Sequence, residues 1–151
     1  LSLHDALPIF KDKPGVAGIV FDCLSKAKIN VDMIIQNISE DGITDVTFSC
    51  PTAQVTAASQ ALEIGKSENN FDYSRLVEDK QVAKISIVGI GMRSHSGVAQ
   101  TMFKTLGEEN INIKVISTSE IKISVLIDRK YLELAVQALH EAFELEKVAD
   151  Q

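Results

Sequence analysis

Residues 14–36, PGVAGIVFDCLSKAKINVDMIIQ, lie over residues 96–118, SGVAQTMFKTLGEENINIKVIST, at a constant offset of 82. Gly15, Val16, Ala17, Phe21, Leu24, Ile29 and Asn30 recur as Gly97, Val98, Ala99, Phe103, Leu106, Ile111 and Asn112. Further on, Gln60-Ala61-Leu62 recurs as Gln137-Ala138-Leu139 at an offset of 77, so the first copy carries five more residues between the blocks. The turn around Glu40-Asp41-Gly42 is the simplest place for them. Self-similarity of this kind means one small unit built twice. The boundary falls at Glu78-Asp79-Lys80, which divides the chain into residues 1–80 and 81–151.

Each copy has the same local pattern. Ala17, Val20, Phe21 and Leu24 recur at helical spacing behind Pro14, and Ala99, Met102, Phe103 and Leu106 repeat them. Asn30 and Asn112 are expected to end these helices, and VDMIIQNI over 31–38 to run extended. Next come alternating strands, Val46, Phe48 and Cys50 against Asp45, Thr47 and Ser49, then Ile121, Ile123, Val125 and Ile127 against Lys122, Ser124 and Leu126. Second helices follow at about Thr52 to Ile64 and Arg129 to Phe143, the latter with Leu132, Val136, Leu139 and Phe143 on one stripe. KISIVGI at 84–90 opens the second copy, YSRLV at 73–77 closes the first, and Lys66 to Asp72 is a polar loop. Strand, helix, strand, strand, helix, strand is the ferredoxin-like βαββαβ order. The fold class is therefore α+β, two units of antiparallel sheet with helices on one face. The tip LSLHDALPI is atypical, because Asp5 and Pro8 interrupt the strand that the repeat calls for.

The chain of 151 residues carries a net charge of −6, which argues against a phosphate backbone as partner. No apolar run approaches the ~20 residues of a membrane helix, and no secretory signal opens the chain. A cytoplasmic protein is expected. Cys23 and Cys50 are far apart and read as reduced thiols, and His4, His95 and His140 stand at no metal-ligand spacing, so no metal is expected.

No nucleophile, base and acid form a catalytic set here. In GIGMRSHSG, residues 89–97, a dinucleotide fingerprint would need glycine at position 94, where Ser94 stands, so a tight strand-to-helix turn is expected instead. Helix N-termini after Lys11-Asp12-Lys13-Pro14-Gly15 and Met92-Arg93-Ser94-His95-Ser96-Gly97 offer unpaired amides to a small carboxylate. Asp12 either caps the first helix or faces a ligand ammonium. The extended segments end in Gln36-Asn37-Ile38-Ser39 and Thr118-Ser119-Glu120, whose amide and hydroxyl groups suit a zwitterion. Asp32 is the one acid in VDMII, and it pairs with a ligand ammonium or faces solvent.

DKPGVAGIVF, INVDMIIQN, TDVTFSCP, VAKISIVGIGMRSHSGVA, INIKVISTSEIKISVLID and AVQALHEAF resemble the tandem ACT domains of the aspartokinase regulatory region, from about Lys11 to Leu145. The resemblance implies binding of end-product amino acids, L-lysine and/or L-threonine, at interfaces between paired domains. It also implies feedback inhibition of aspartate phosphorylation, a homodimer through the ACT domains, and a catalytic chain or domain as partner. Carried over by position, the effector-binding residues are Asp12, Gly15, Val16, Ala17, Asp32, Gln36, Asn37, Ser39, Met92, Ser94, Asn112, Ile113, Thr118, Ser119 and Glu120. Asp32 matches a position where lysine-binding relatives hold an acid, and Lys114 stands at the matching place in the second copy. The Lys-Phe-Gly-Gly nucleotide strand of the kinase portion is missing, so ATP and magnesium have no site in this chain and catalysis is not expected of it alone.

Two rivals are weaker. A ferredoxin-like nucleic-acid binder needs a basic, aromatic sheet, and this chain has no Trp and two Tyr. An ACT regulator of another amino-acid biosynthetic enzyme fits the tandem layout and the SEIKIS block less well.

Overall fold

Val20 and Leu24 point from one side of helix α1 (Val16–Lys26) onto Val46 and Phe48 of strand β4 (Ile43–Ser49). Helix α2 (Val55–Glu68), entered through a 3-10 turn at Thr52–Gln54, adds Val55, Ala58 and Leu62 to the same core. The structure is a computed structural model that describes residues 2–3, 10–11, 15–38, 43–68, 73, 76–89 and 95–149. Two compact units are present, Leu1–Lys80 and Gln81–Gln151.

In unit 1, β4 is the central strand. β3 (Ile34–Ile38) lies antiparallel along one edge, and the short β1 (Ser2–Leu3) and β2 (Phe10–Lys11) share the other. In unit 2, β7 (Lys122–Asp128) is central, between β5 (Val82–Val88) and β6 (Val115–Thr118). Helices α3 (His95–Glu108) and α4 (Leu132–Ala149) pack together, and Met102, Leu106, Ala135 and Leu139 meet Ile123, Val125 and Ile127. This is the antiparallel α+β arrangement that the pattern predicts.

The duplication survives in the register. Ser2 pairs with Ser49 and Lys84 with Leu126, and each pair maps onto the other through the two offsets. Gln36 pairs with Val46 as Thr118 pairs with Ile123. Nine residues separate the first pair and four the second, so the five extra residues lengthen the β3–β4 hairpin at its tip. The atypical opening also has a structural mark. Six residues separate Leu3 from Phe10, but only three separate their partners Phe48 and Thr44, so β1 and β2 are one edge strand interrupted by three surplus residues.

Several local expectations are corrected. The first helices stop at Lys26 and Glu108, not at Asn30 and Asn112, because the left-handed residues are Lys28 (φ 59°) and Asn110 (φ 56°). At each end the next amide wraps back, Ile29 N–H to Leu24 O at 3.0 Å and Ile111 N–H to Leu106 O at 2.9 Å. Both wrapping residues are apolar and enter the core, which fixes the turn. Residues 31–33 precede β3 rather than belong to it, and Lys66 to Glu68 continue α2. Of the segment expected to close unit 1, Tyr73, Leu76 and Val77 form no strand, and Tyr73 is instead drawn into the core. On α4, Ala135 takes the buried place expected of Val136, which is 41% exposed. Ser49, Ser124 and Leu126 are buried although they alternate away from the helices. Ser49 Oγ accepts the Met33 N–H at 2.9 Å, and Ser124 shares a 2.7 Å hydrogen bond with Ser86, so neither buried hydroxyl is unsatisfied.

Lys28 carries a Cβ in a conformation that glycine adopts without cost. Lys28→Gly is expected to raise the unfolding free energy by about 1 kcal/mol, read from the urea midpoint. A lowered midpoint would contradict the left-handed assignment.

Candidate functional site

The sheet brings one group of expected residues together. Phe10 and Ile38 flank the same residue, Thr44, from opposite edges. The chain entering α1 and the end of β3 therefore emerge at one end of the unit 1 sheet. In unit 2, Val88 pairs with Lys122 and Thr118 with Ile123, and the Gly89 N–H donates to Ile121 O at 3.0 Å, so the same end is formed again.

At that end of unit 1, Gly15 is the residue before α1 and has φ 88°. Only glycine enters this conformation without strain, and the space that a Cβ would take there is open. Among the described residues no side chain caps α1, and Ala17 is exposed, so the first turn of the helix presents its backbone at an accessible surface. Gly97 differs despite its matching position. It lies inside α3, which begins at His95, whereas Gly15 stands before α1. Gln36 is exposed on β3, Asn37 follows it opposite Asp45, and Thr118 is exposed on β6. Ser119 N–H closes the second hairpin onto Lys122 O at 2.7 Å, and Glu120 is exposed beside it. Asp12, Ser39, Met92 and Ser94 lie outside the described residues, and Val16 is placed by its backbone in α1.

A second group sits elsewhere. The Asp32 N–H donates to Ser49 O at 2.9 Å and the Lys114 N–H to Leu126 O at 2.8 Å, equivalent bonds that fix the starts of β3 and β6. Four residue steps of extended chain, about 13 Å, lead from Asp32 to Gln36. Asn112 is exposed near Lys114, and Ile113 packs against the core of unit 2. The expected site residues thus divide between the two ends of each edge strand, and one unit alone does not gather them.

Charge distinguishes the equivalent places. Lys114 is 2.9 Å from Asp128 and largely screened from solvent, so that cation is compensated. Asp128 corresponds to Pro51 in unit 1, so no carboxylate occupies that place beside the exposed Asp32. Lys26 lies elsewhere, on the exposed side of α1, and its hydrogen bond to Asp22 holds its proton above the usual lysine range.

Two structural supports escape the sequence pattern. Gln54 takes the Asn30 N–H on Oε1 at 2.8 Å and reaches Lys28 O at 3.4 Å, tying down the turn before Asp32. Asp128 is the other, and only the fold places it beside Lys114. Among the described residues no cluster of His, Cys, Asp and Glu could hold a metal ion. No described helix is long and apolar enough to cross a membrane.

Comparison with known proteins follows the same lines. The ACT domain family model matches residues 10–64 and 85–143. Aspartate kinase of Pseudomonas fluorescens SBW25 is 51% identical over 140 residues, which cover 93% of this chain and 33% of that protein. The chain spans about a third of the length of the curated relatives it matches. A crystal structure of aspartokinase alpha and beta subunits is 46% identical, with a TM-score of 0.80, over 91% of this chain and 89% of that one. The ligand-free regulatory subunit of aspartate kinase from Thermus thermophilus is 36% identical, with a TM-score of 0.81 and the same coverage.

Proposed function

The chain belongs to the ACT domain family, as an aspartokinase regulatory region. On that premise we propose that it binds L-lysine and/or L-threonine and passes their presence to an aspartate kinase catalytic chain or domain as feedback inhibition. ATP and magnesium are then the business of the catalytic portion.

The division of the site residues between two strand ends points to how the effector is held. β3 is an edge strand, with Ile34 52% exposed on it, and Ile116 of β6 is exposed at the equivalent position. Antiparallel two-fold pairing of β3 with a second copy, centred on Ile34, sets Asp32 opposite Gln36 of the partner subunit and closes the 13 Å gap. The effector's carboxylate meets the α1 amides beside Gly15 and Ala17, and its ammonium group meets amide oxygens and Asp32. Lysine, with its second ammonium, belongs at the unit 1 edge, where Asp32 is exposed. A neutral effector such as threonine suits unit 2, where Lys114 is already paired with Asp128. The observation that carries this reading is the 46% identity with the solved aspartokinase subunits over nearly the whole chain.

A preference of ~1 to 3 kcal/mol for the inhibited arrangement is sufficient for a useful response. Lysine and threonine are each expected to raise the melting temperature, and both together to raise it more. A ligand at a hundredfold excess over its Kd contributes about 2.7 kcal/mol to a state that alone binds it. No shift with any of the common amino acids, beside a clear shift with RNA, would overturn the proposal.

A further inference from the structure

From Lys28 to Met33, along the chain that carries Asp32, every backbone N–H has an acceptor. Backbone carbonyls take four of them: Lys28 N–H donates to Ser25 O at 2.9 Å, Ile29 to Leu24 O at 3.0 Å, Val31 to Ile29 O at 3.1 Å and Asp32 to Ser49 O at 2.9 Å. Side chains take the other two. Gln54 Oε1 accepts the Asn30 N–H at 2.8 Å, and Ser49 Oγ accepts the Met33 N–H at 2.9 Å. Gln54 Nε2 also donates to Lys28 O at 3.4 Å, so one side chain spans the turn. The Ser49 N–H donates to Met33 O at 2.9 Å. Asp32 and Met33 together therefore oppose Ser49, as in a β-bulge, a device that re-aims side chains.

Unit 2 keeps the bulge and replaces both side-chain acceptors. The Lys114 N–H donates to Leu126 O at 2.8 Å, and Val115 pairs with Leu126. The offset of 77 carries Ser49 onto Leu126 and Gln54 onto Tyr131. Leu126 has no hydroxyl to offer. The Tyr131 ring is packed against the core of unit 2, with the Lys130 ammonium 5.0 Å from its centroid, and it has no carboxamide to span a turn. The two acceptors particular to unit 1 thus stand on either side of the acid that Lys114 replaces in unit 2.

We propose that Gln54 and Ser49 are positioning residues for Asp32 and make unit 1 the lysine-selective unit, a step that rests on the effector reading above. They hold the backbone so that the Asp32 carboxylate is set to meet a ligand ammonium. With the backbone fixed on both sides, only the side-chain torsions of Asp32 remain to be ordered when the ligand arrives. A carboxylate on a loose segment would lose much of the same contact to the entropy of ordering that segment. Ser49 is 2% exposed, so its hydroxyl bond is protected from competition by water.

Gln54→Met keeps the length of the side chain and removes both of its hydrogen bonds. Calorimetry on the chain is expected to show lysine binding weakened about fivefold, with threonine binding unchanged and the melting temperature close to that of the parent. In an Asp32→Asn background the same substitution should change lysine affinity by less than about twofold, because a residue that acts through Asp32 has nothing left to position. Amide exchange at Asn30, Asp32 and Met33 should quicken in Gln54→Met without ligand. Ser49→Ala should quicken it at Met33, and Ser49→Thr, which keeps the hydroxyl, should not. The proposal is overturned if the parent binds lysine and Gln54→Met binds it as tightly. It is equally overturned if lysine and threonine weaken alike, or if the loss persists in full in the Asp32→Asn chain, since either marks a merely structural role. A parent chain that binds no lysine overturns the effector reading instead, and unchanged exchange at Asp32 and Met33 would then dismiss the positioning role as well.

Discussion

Phe48→Ala is expected to lower the unfolding free energy of unit 1 by about 3–5 kcal/mol, the usual cost of removing an aromatic side chain from a packed core. Phe48 is 1% exposed on the central strand, between both helices, and meets Phe21 edge-on with ring centroids 6.1 Å apart. A domain of this size is stable by only about 5–15 kcal/mol, so the loss takes a large share of what unit 1 has. Phe48→Leu keeps most of the volume and should cost less than half as much. Urea unfolding followed by circular dichroism reads both. A loss under about 1 kcal/mol for the alanine variant would remove Phe48 from the centre of the core.

Phe48 was legible in the sequence because β4 alternates and because its repeat partner, Val125, alternates with it. Helix faces were equally plain, since Val20, Leu24, Met102 and Leu106 sit at a spacing that only a helix turns to one side. What the pattern missed has a physical reason in each case. The helix ends were misplaced because an Asn in the repeat reads as a C-cap, whereas Lys28 at the true cap carries no such signal and is held left-handed by the burial of Ile29. The strand order calls for a closing strand over 73–77, but Tyr73, Leu76 and Val77 lie outside any strand and the Tyr73 ring is buried in the core beside α2, which the strand order alone does not reveal. The burial of Ser49 and Ser124 is not legible because the alternation of a strand shows which face a residue takes and says nothing of what covers that face.

The candidate site was legible as residue types but not as an arrangement. Gln36, Asn37, Thr118 and Ser119 stand out because polar groups end otherwise apolar strands. Asp32 stands out as a lone acid. Nothing in the spacing shows that four residue steps place Asp32 and Gln36 about 13 Å apart, since the count becomes a distance only once the segment is known to be extended. Nor does the sequence show that Asp128 neutralises Lys114, because 13 residues that form a hairpin intervene between them.

That distance yields the sharpest test of the effector site. Asp32→Asn removes the charge that a lysine ammonium would meet, and is expected to weaken lysine binding by about 10- to 100-fold while leaving threonine binding nearly unchanged, the range for a charge pair shielded from water. Gln36→Ala is expected to weaken binding as well, with the far-ultraviolet spectrum intact because Gln36 is exposed. If one effector lies between Asp32 of one copy and Gln36 of the other, the two defects complement. A mixed dimer of the Asp32→Asn and Gln36→Ala chains has one site with both groups intact and one with neither. Mixing the purified variants, with exchange of subunits, should therefore restore tight lysine binding at half the original number of sites per mixed dimer, measured by calorimetry. A site confined to one chain has no such recourse, since every copy in the mixture remains defective. Failure of the mixture to recover any tight binding, with mixed dimers demonstrated by mass spectrometry, would place the effector within a single chain and dismiss the two-fold pairing of β3.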